Sequence, residues 1–149
     1  MRGLKSVKVL FFLFIFFAFA GCKQEVDISA RKMHWDRDMC ERCKMAISGR
    51  KFAAQVINPK NGMCYKFDDI GCAILWFKEE NIPWEQEAAI WVTDSKTGEW
   101  IDARKAEYTT GSITPMDYGF AAHKEGTTPE LKEVVYFNKV VKSVIEKGR

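Results

Sequence analysis

Two segments of the sequence carry the pattern of a β-hairpin, and together they restrict the fold more than any other feature. In the first, FAAQVI and MCYKF flank the turn NPKNG at residues 58–62, whose Asn-Gly pair is a strong hairpin signal. In the second, AAIWVTD and EWIDA flank the turn SKTG at residues 95–98. The stretches VINPKNGMCYKFDD and VTDSKTGEWIDARK align in one register, which indicates duplication of a structural unit.

Helical patterns follow both hairpins. Residues 68–81 have apolar side chains at helical spacing, and Asp68 or Asp69 can cap the N-terminus of this predicted helix. The segment 129–147 has an apolar stripe typical of an amphipathic helix that starts at Pro129. The pattern therefore predicts a helix after each hairpin.

Between the second hairpin and the last helix, residues 106–113 can add a strand. Residues 114–128 are rich in turn-forming residues and are expected to be a loop. The sequence therefore predicts an α+β fold, with two ββα-like units packed together and a C-terminal amphipathic helix.

The N-terminus has the pattern of an export signal. Basic residues occur in the segment 1–8, and an apolar run too short to span a bilayer comfortably follows at 9–20. The next residues, Gly21 and Cys22, resemble a bacterial lipobox, in which the cysteine is lipidated after cleavage. We therefore expect a signal peptide at 1–21 and a lipoprotein anchored to the cell membrane, facing the periplasm or the cell exterior.

After the signal peptide, the polar residues 22–37 are interpreted as a tether that becomes ordered near Trp35, and residues 38–149 as one domain. The formal charge of +3 comes from the signal peptide, since Arg2, Lys5 and Lys8 are its only charged residues. The rest of the chain is near neutral, so nothing indicates a nucleic-acid-binding surface.

Four cysteines remain after the expected lipidation of Cys22, namely Cys40, Cys43, Cys64 and Cys72. In an oxidising compartment an even set of four can form two disulfides, with three pairings. The same four thiols could bind zinc, although Cys64 and Cys72 are too far apart in sequence for a typical zinc-ligand pair. Both alternatives stay open at this point.

A C-x-x-C pair can also serve disulfide exchange. In that case Cys40 and Cys43 would need a lowered thiol pKa, which a helix N-terminus often supplies. The acidic Glu41 between them opposes thiolate formation, and no clear helical pattern begins at Cys43. A thiol–disulfide reductase is therefore an alternative that the sequence supports less well.

The neighbouring methionines favour Cu(I). The segment DMCERCKMAI at residues 38–47 contains two thiols and two thioethers, and soft sulfur ligands of this kind select Cu(I). Met45 follows Cys43 by two positions, so a Cys-x-Met pair can bind Cu(I) without a rigid cage. A zinc site gives no reason for these methionines.

Three motifs resemble the NosL family. They are DMCERCKMAI, FDDIGC at residues 67–72 and TPMDYGF at residues 114–120, and they occur in this order behind a lipoprotein signal. The resemblance extends through most of the mature chain. It implies a fold of two ββα-type units and a Cu(I)-binding function without catalytic turnover.

The resemblance also implies a set of metal ligands. The family's Cys-x-Met pair falls on Cys43 and Met45, and Cys40 matches a cysteine present in many members. The family's later Pro-Met-Gly-Tyr-Gly segment falls on residues 115–119, so Met116 is a further candidate ligand. Cys72 is expected to be a buried helix residue.

Two positions depart from the family's pattern. Asp117 and Lys44 stand where glycine is usual. A change at Asp117 could alter the approach of its loop to the metal, and Lys44 could balance the charge of a Cu(I)–thiolate pair.

The family's partners are expected to be nitrous oxide reductase and its ABC-transporter assembly complex. The resemblance implies that Cu(I) is handed on for assembly of the reductase's copper–sulfide centre. A homodimer is compatible with the sequence. The alternatives to a copper chaperone are the thiol–disulfide reductase and a zinc- or disulfide-stapled interaction domain.

Overall fold

The computed structural model describes residues 25–148, so the expected signal peptide and Cys22 lie outside the described residues. The described part contains six strands and two helices. In chain order they are β1 (Ala54–Ile57), β2 (Cys64–Phe67), α1 (Ile70–Glu79), β3 (Ala89–Thr93), β4 (Trp100–Asp102), β5 (Glu107–Thr109), β6 (Ala121–His123) and α2 (Phe137–Lys147). The architecture is α+β, as the sequence predicts, and neither helix of residues 25–148 is long and apolar enough to cross a bilayer.

Both predicted hairpins are present, and they join in one antiparallel sheet with the strand order β2-β1-β3-β4. The central strand β1 is buried along its whole length. Because side chains alternate across a sheet, Val56 and its partners Tyr65 and Ile90 share one face, while Gln55 and its partner Trp91 share the other. The two faces therefore have different partners.

The segment before the first motif lies on the Gln55 face. The side-chain amide of Gln55 exchanges two hydrogen bonds with the backbone of Arg31, and the indole N–H of Trp91 donates to the carbonyl of Ile28. The ordered part of the chain thus begins before Trp35, earlier than the sequence predicts. From residue 28 onward, the expected tether is held against the sheet.

Helix α1 covers the opposite face, as shown by the contact of Trp76 with Tyr65, whose ring centroids are 4.6 Å apart. Its first eight residues, 70–77, are all buried. Of the two candidate caps, Asp69 is the N-cap, because its carboxylate accepts a hydrogen bond from the amide of Gly71. The helix ends before Asn81, which has a left-handed backbone with φ of 49°. The predicted helix at 68–81 is thus confirmed.

Two predictions for the second half of the chain are wrong. The segment 114–128 is not only a loop, since it contains β6, which pairs with β5 in a separate two-stranded ribbon. The last helix begins at Phe137 and not at Pro129. The reason is that Val135 and Tyr108 exchange two backbone hydrogen bonds of 2.8 and 2.9 Å, which is strand pairing and excludes a helix there.

The hairpin turn of β3 and β4 is tied to the ribbon by Asp94. This residue is 2% exposed, and its carboxylate accepts hydrogen bonds from the amides of Lys96, Thr97 and Lys124. Burial opposes the ionisation of Asp94, but these amides outweigh burial and lower the pKa of its carboxyl. The charged form of Asp94 is therefore the one that stabilises the fold.

Replacing Asp94 with asparagine is expected to lower the free energy of unfolding at neutral pH by about 1–3 kcal/mol, the cost of leaving buried donors unpaired. Because the folded pKa is lowered, this contribution is present above the unfolded pKa of about 3.9 and is lost as the pH falls through the folded value. Urea unfolding between pH 7 and 3 measures it. The difference from wild type should shrink toward pH 3, and a difference that is constant with pH would contradict the assignment. Asp102→Asn is the matched control, because the carboxylate of Asp102 accepts one amide hydrogen bond and its side chain is 40% exposed.

Candidate metal centre

The segment 38–47, here called the C-x-x-C loop, is closed on itself by backbone hydrogen bonds. The amide of Cys40 donates to the carbonyl of Met45 at 2.8 Å, and the amide of Lys44 donates to the carbonyl of Cys40 at 3.0 Å. Lys44 has a φ of 59°, the left-handed conformation that glycine adopts most easily. The loop therefore keeps the backbone geometry that a glycine at this position would favour.

The C-x-x-C loop is attached to two elements of the domain. The amide of Glu41 donates to the carbonyl of Lys66, so the loop lies along the edge strand β2. The guanidinium of Arg42 forms a bidentate pair with Glu79 in the last turn of α1, with N···O distances of 2.9 and 2.7 Å. Arg42 also donates to the hydroxyl of Tyr118 at 3.3 Å. The loop is thereby fixed relative to α1.

Three of the cysteines lie together. The sulfur atoms of Cys40, Cys43 and Cys72 are all within 4.8 Å of one another, and we call this group the three-cysteine cluster. Cys40 and Cys72 are fully buried, and Cys43 is half-buried. Cys72 is a buried residue of α1, as expected, and its sulfur lies beside those of the two predicted site cysteines.

Cys64 is not part of this cluster. It pairs with Ile57 in the sheet and therefore lies on the same face as Gln55, whose side-chain oxygen accepts a hydrogen bond from its thiol at 3.5 Å. Helix α1 covers the other face, so the four cysteines do not form the four-thiolate zinc site considered above. All four are free thiols, without a disulfide among the described residues.

The cluster favours one thiolate. Hydrogen bonds from the thiol of Cys72 and the amides of Asp68 and Cys43 lower the pKa of Cys40 to about 5, against the effect of burial. The thiol of Cys72 donates a hydrogen bond to Cys40, and this bond, together with burial, raises the pKa of Cys72 far above its usual range. Burial also raises the pKa of Cys43. The thiolate is therefore stabilised at Cys40, the more deeply buried of the two C-x-x-C cysteines.

A buried carboxyl group adjoins the cluster. Asp68 is 4% exposed, and its Oδ1 atom has no hydrogen-bond partner among the described residues. Burial and the nearby Cys40 thiolate raise the pKa of Asp68 to about 6. Asp69, the helix cap, also accepts a hydrogen bond from the amide of Met116. Asp68 is thus a buried carboxyl group beside the cluster, whereas Asp69 caps the helix and holds the Met116 amide.

The TPMDYGF loop, residues 114–120, packs on the N-terminus of α1. The ring of Tyr118 occupies the space beside Gly71, where a Cβ atom would lie 2.1 Å from the ring. Asp117 has a φ of 57°, the left-handed conformation that glycine adopts most easily. This contact brings the backbone of Met116 to the same end of α1 that carries Cys72.

The four predicted ligands thus have different environments. Cys40 and Cys43 belong to the three-cysteine cluster. Met45 has 53% of its surface exposed, while its amide donates to the sulfur of Cys43. Met116 is partly buried against the core. The three-cysteine cluster offers a group of soft donors, half-buried at Cys43, that could hold a soft metal ion.

The fold and the site define a small α+β domain with a sulfur-rich candidate metal centre. The chain belongs to the NosL family, whose model matches residues 32–133. The match includes all three motifs named above. No curated protein matches the chain.

The fold is also similar to a solved structure, described as the crystal structure of the copper chaperone NosL from Shewanella denitrificans. The TM-score is 0.56 at 14% sequence identity, and the alignment covers 81% of this chain and 88% of the other. At this identity the similarity establishes the fold.

Proposed function

We propose that the protein is a lipid-anchored Cu(I) metallochaperone that delivers copper for assembly of the copper–sulfide centre of nitrous oxide reductase. Membership of the NosL family and the copper chaperone named among the similar structures support the copper-binding part of this proposal. Lipidation at Cys22 would hold the protein at the outer face of the cell membrane, next to the ABC-transporter assembly complex.

The observation that carries the proposal is the position of Cys43. It is the half-buried member of the three-cysteine cluster, and it is followed by the exposed Met45. In the proposed site, Cys43 and Met45 are the ligands nearest the surface, Cys40 supplies a thiolate from inside, and Met116 lies at the same end of α1. Soft sulfur ligands prefer Cu(I), and Cu(I) accepts low coordination numbers.

Such a site suits transfer rather than catalysis. A soft ligand of the acceptor can enter the copper shell at the Met45 side before a donor sulfur leaves, so the metal is never released to water. Copper stays in the Cu(I) state throughout, and no bond of an organic substrate is changed. We therefore propose that the protein has no catalytic turnover.

The alternative of a thiol–disulfide reductase has less support. Attack on an external disulfide needs an accessible thiolate. Here the stabilised thiolate is Cys40, which is fully buried, whereas the more accessible Cys43 has a raised pKa. The cysteine with the lowered pKa is therefore the one that an external disulfide cannot reach.

Titration of the full chain with Cu(I) tests the proposal. The protein is purified anaerobically in detergent and titrated against a competing Cu(I) chelator. We expect tight binding of one Cu(I), its loss in Cys43→Ser, and weaker binding in Met45→Leu. Cys64→Ser is the matched control, because Cys64 is a free thiol outside the cluster, and it should bind as wild type does.

The proposal would be wrong if wild type bound Cu(I) no better than Cys43→Ser, or if turnover of a disulfide substrate required Cys40 and Cys43. Deleting the gene tests the client separately. Nitrous oxide reductase from such cells is expected to lack its copper–sulfide centre, and a fully assembled centre would contradict the proposed client.

A further inference from the structure

We propose that Cys72 is a Cu(I) ligand, so that the metal is held by the thiolates of Cys40, Cys43 and Cys72 and links the C-x-x-C loop to helix α1. This inference rests on the proposed function and adds an inner ligand to the same site. It gives a role to a residue whose sequence context predicts only a buried position in a helix.

The distances fit a three-sulfur site. Metal–thiolate bonds are about 2.3 Å long, so three sulfurs around one ion in a plane lie about 4 Å apart. The sulfurs of Cys40, Cys43 and Cys72 are already within 4.8 Å of one another, so a movement of less than about 1 Å would bring them into this geometry. Within the described residues, no carboxylate or imidazole belongs to the same group. The donor set is therefore purely soft, which favours Cu(I) over harder ions.

The position of Cys72 is set by contacts on both sides of it. Asp69 caps the helix just before Cys72, and Trp76 packs against Tyr65 just after it. The pair between Arg42 and Glu79 then holds the C-x-x-C loop against the same helix. A site built on such fixed elements needs little reorganisation when the metal binds.

Burial divides the ligands by role. Cys40 and Cys72 are fully buried, Cys43 is half-buried, and Met45, two residues after Cys43, is exposed. Each thiol that binds gives up its proton as the copper–sulfur bond forms. An acceptor can therefore displace Met45 first, while the inner thiolates keep the copper bound until the transfer is complete.

X-ray absorption at the copper edge tests the assignment. The full chain in detergent is loaded anaerobically with one equivalent of Cu(I), and wild type is compared with Cys72→Ala and with the control Cys64→Ala. We expect Cys72→Ala to have one sulfur neighbour fewer. Its Cu(I) affinity should fall by more than about tenfold, since loss of an outer-shell partner alone costs about 10–100-fold. Cys64→Ala should retain both properties.

A second measurement uses wild type and does not depend on folding of the variant. Cu(I) should slow amide hydrogen exchange in the first turn of α1 as well as in residues 38–47, because the metal joins the two. Slowing confined to residues 38–47 would overturn the inference. A folded Cys72→Ala protein with wild-type affinity would also overturn it, and loss of binding in Cys43→Ser would then leave the copper-binding function standing.

Discussion

Replacing Gly71 with alanine is expected to destabilise the protein by about 3 kcal/mol, the upper end of the usual cost of overpacking. A Cβ atom at this position would lie 2.1 Å from Cδ2 and 2.2 Å from Cγ of Tyr118. Tyr118 is only 5% exposed. Cγ and Cδ2 are the ring atoms nearest the backbone of Tyr118, so a rotation of the ring alone cannot relieve the clash. The TPMDYGF loop must move instead. Thermal and urea unfolding measure the loss.

The sign of this effect separates the clash from helix propensity. Alanine normally favours a helix over glycine by up to about 1 kcal/mol, so without the clash the variant would be more stable than wild type. In a Tyr118→Ala background the space is open, and Gly71→Ala should become neutral or stabilising. The two changes form a double-mutant cycle with a large coupling energy. If Gly71→Ala costs the same in both backgrounds, the proposed contact is wrong.

The features that could be predicted from the sequence are those encoded locally. The two hairpins follow from turn residues between apolar strands, and α1 follows from helical spacing after an aspartate cap. The pairing of Cys40 and Cys43 follows from their spacing alone. Each of these signals lies within a few residues of the structure that it specifies.

The incorrect predictions concern long-range partners. Residues 129–136 have apolar spacing suitable for a helix, but Val135 pairs instead with Tyr108, 27 positions earlier in the chain. Leu131, which the stripe places on the buried face, is fully exposed. Tertiary pairing has overridden the local pattern, because the extended backbone at Val135 exchanges hydrogen bonds with Tyr108 of the ribbon, a partner that the helical pattern cannot reveal.

The candidate site likewise combines a locally encoded feature, the C-x-x-C pair, with a long-range partner, Cys72. Cys72 lies 29 positions after Cys43, and its place beside the C-x-x-C pair depends on how α1 packs on the sheet. The sequence signal for Cys72 is the FDDIGC motif, which resembles the NosL family and places a cysteine just after a helix cap. From the sequence, burial in a helix is enough to explain a cysteine at position 72. Only the packing of α1 shows that its sulfur lies beside those of Cys40 and Cys43.

Replacing Arg42 with leucine is expected to lower Cu(I) affinity by about 10–100-fold, the usual effect of removing a partner outside the ligand shell. Arg42 lies between the two cysteines of the loop, and its guanidinium binds Glu79 and the hydroxyl of Tyr118. Leucine retains part of the side chain's bulk, cannot form these contacts and adds no sulfur that could bind copper. The loop can then shift relative to α1, and the sulfurs on the two elements no longer stay close together. Chelator competition measures the change in affinity.

Lys44→Leu is the matched control, because it removes the same charge from the same loop and also adds no sulfur. The side chain of Lys44 is 66% exposed and pairs only with the nearby Glu41 among the described ion pairs, so its loss should change affinity by less than about 0.5 kcal/mol. Glu79→Gln should reproduce part of the Arg42→Leu defect, since it weakens the same contact between loop and helix from the helix side. Equal losses in Arg42→Leu and Lys44→Leu would instead indicate a general effect of positive charge on the thiolates. A defect confined to Arg42 and Glu79 would mean that the cysteines bind copper because the loop and the helix are held in register.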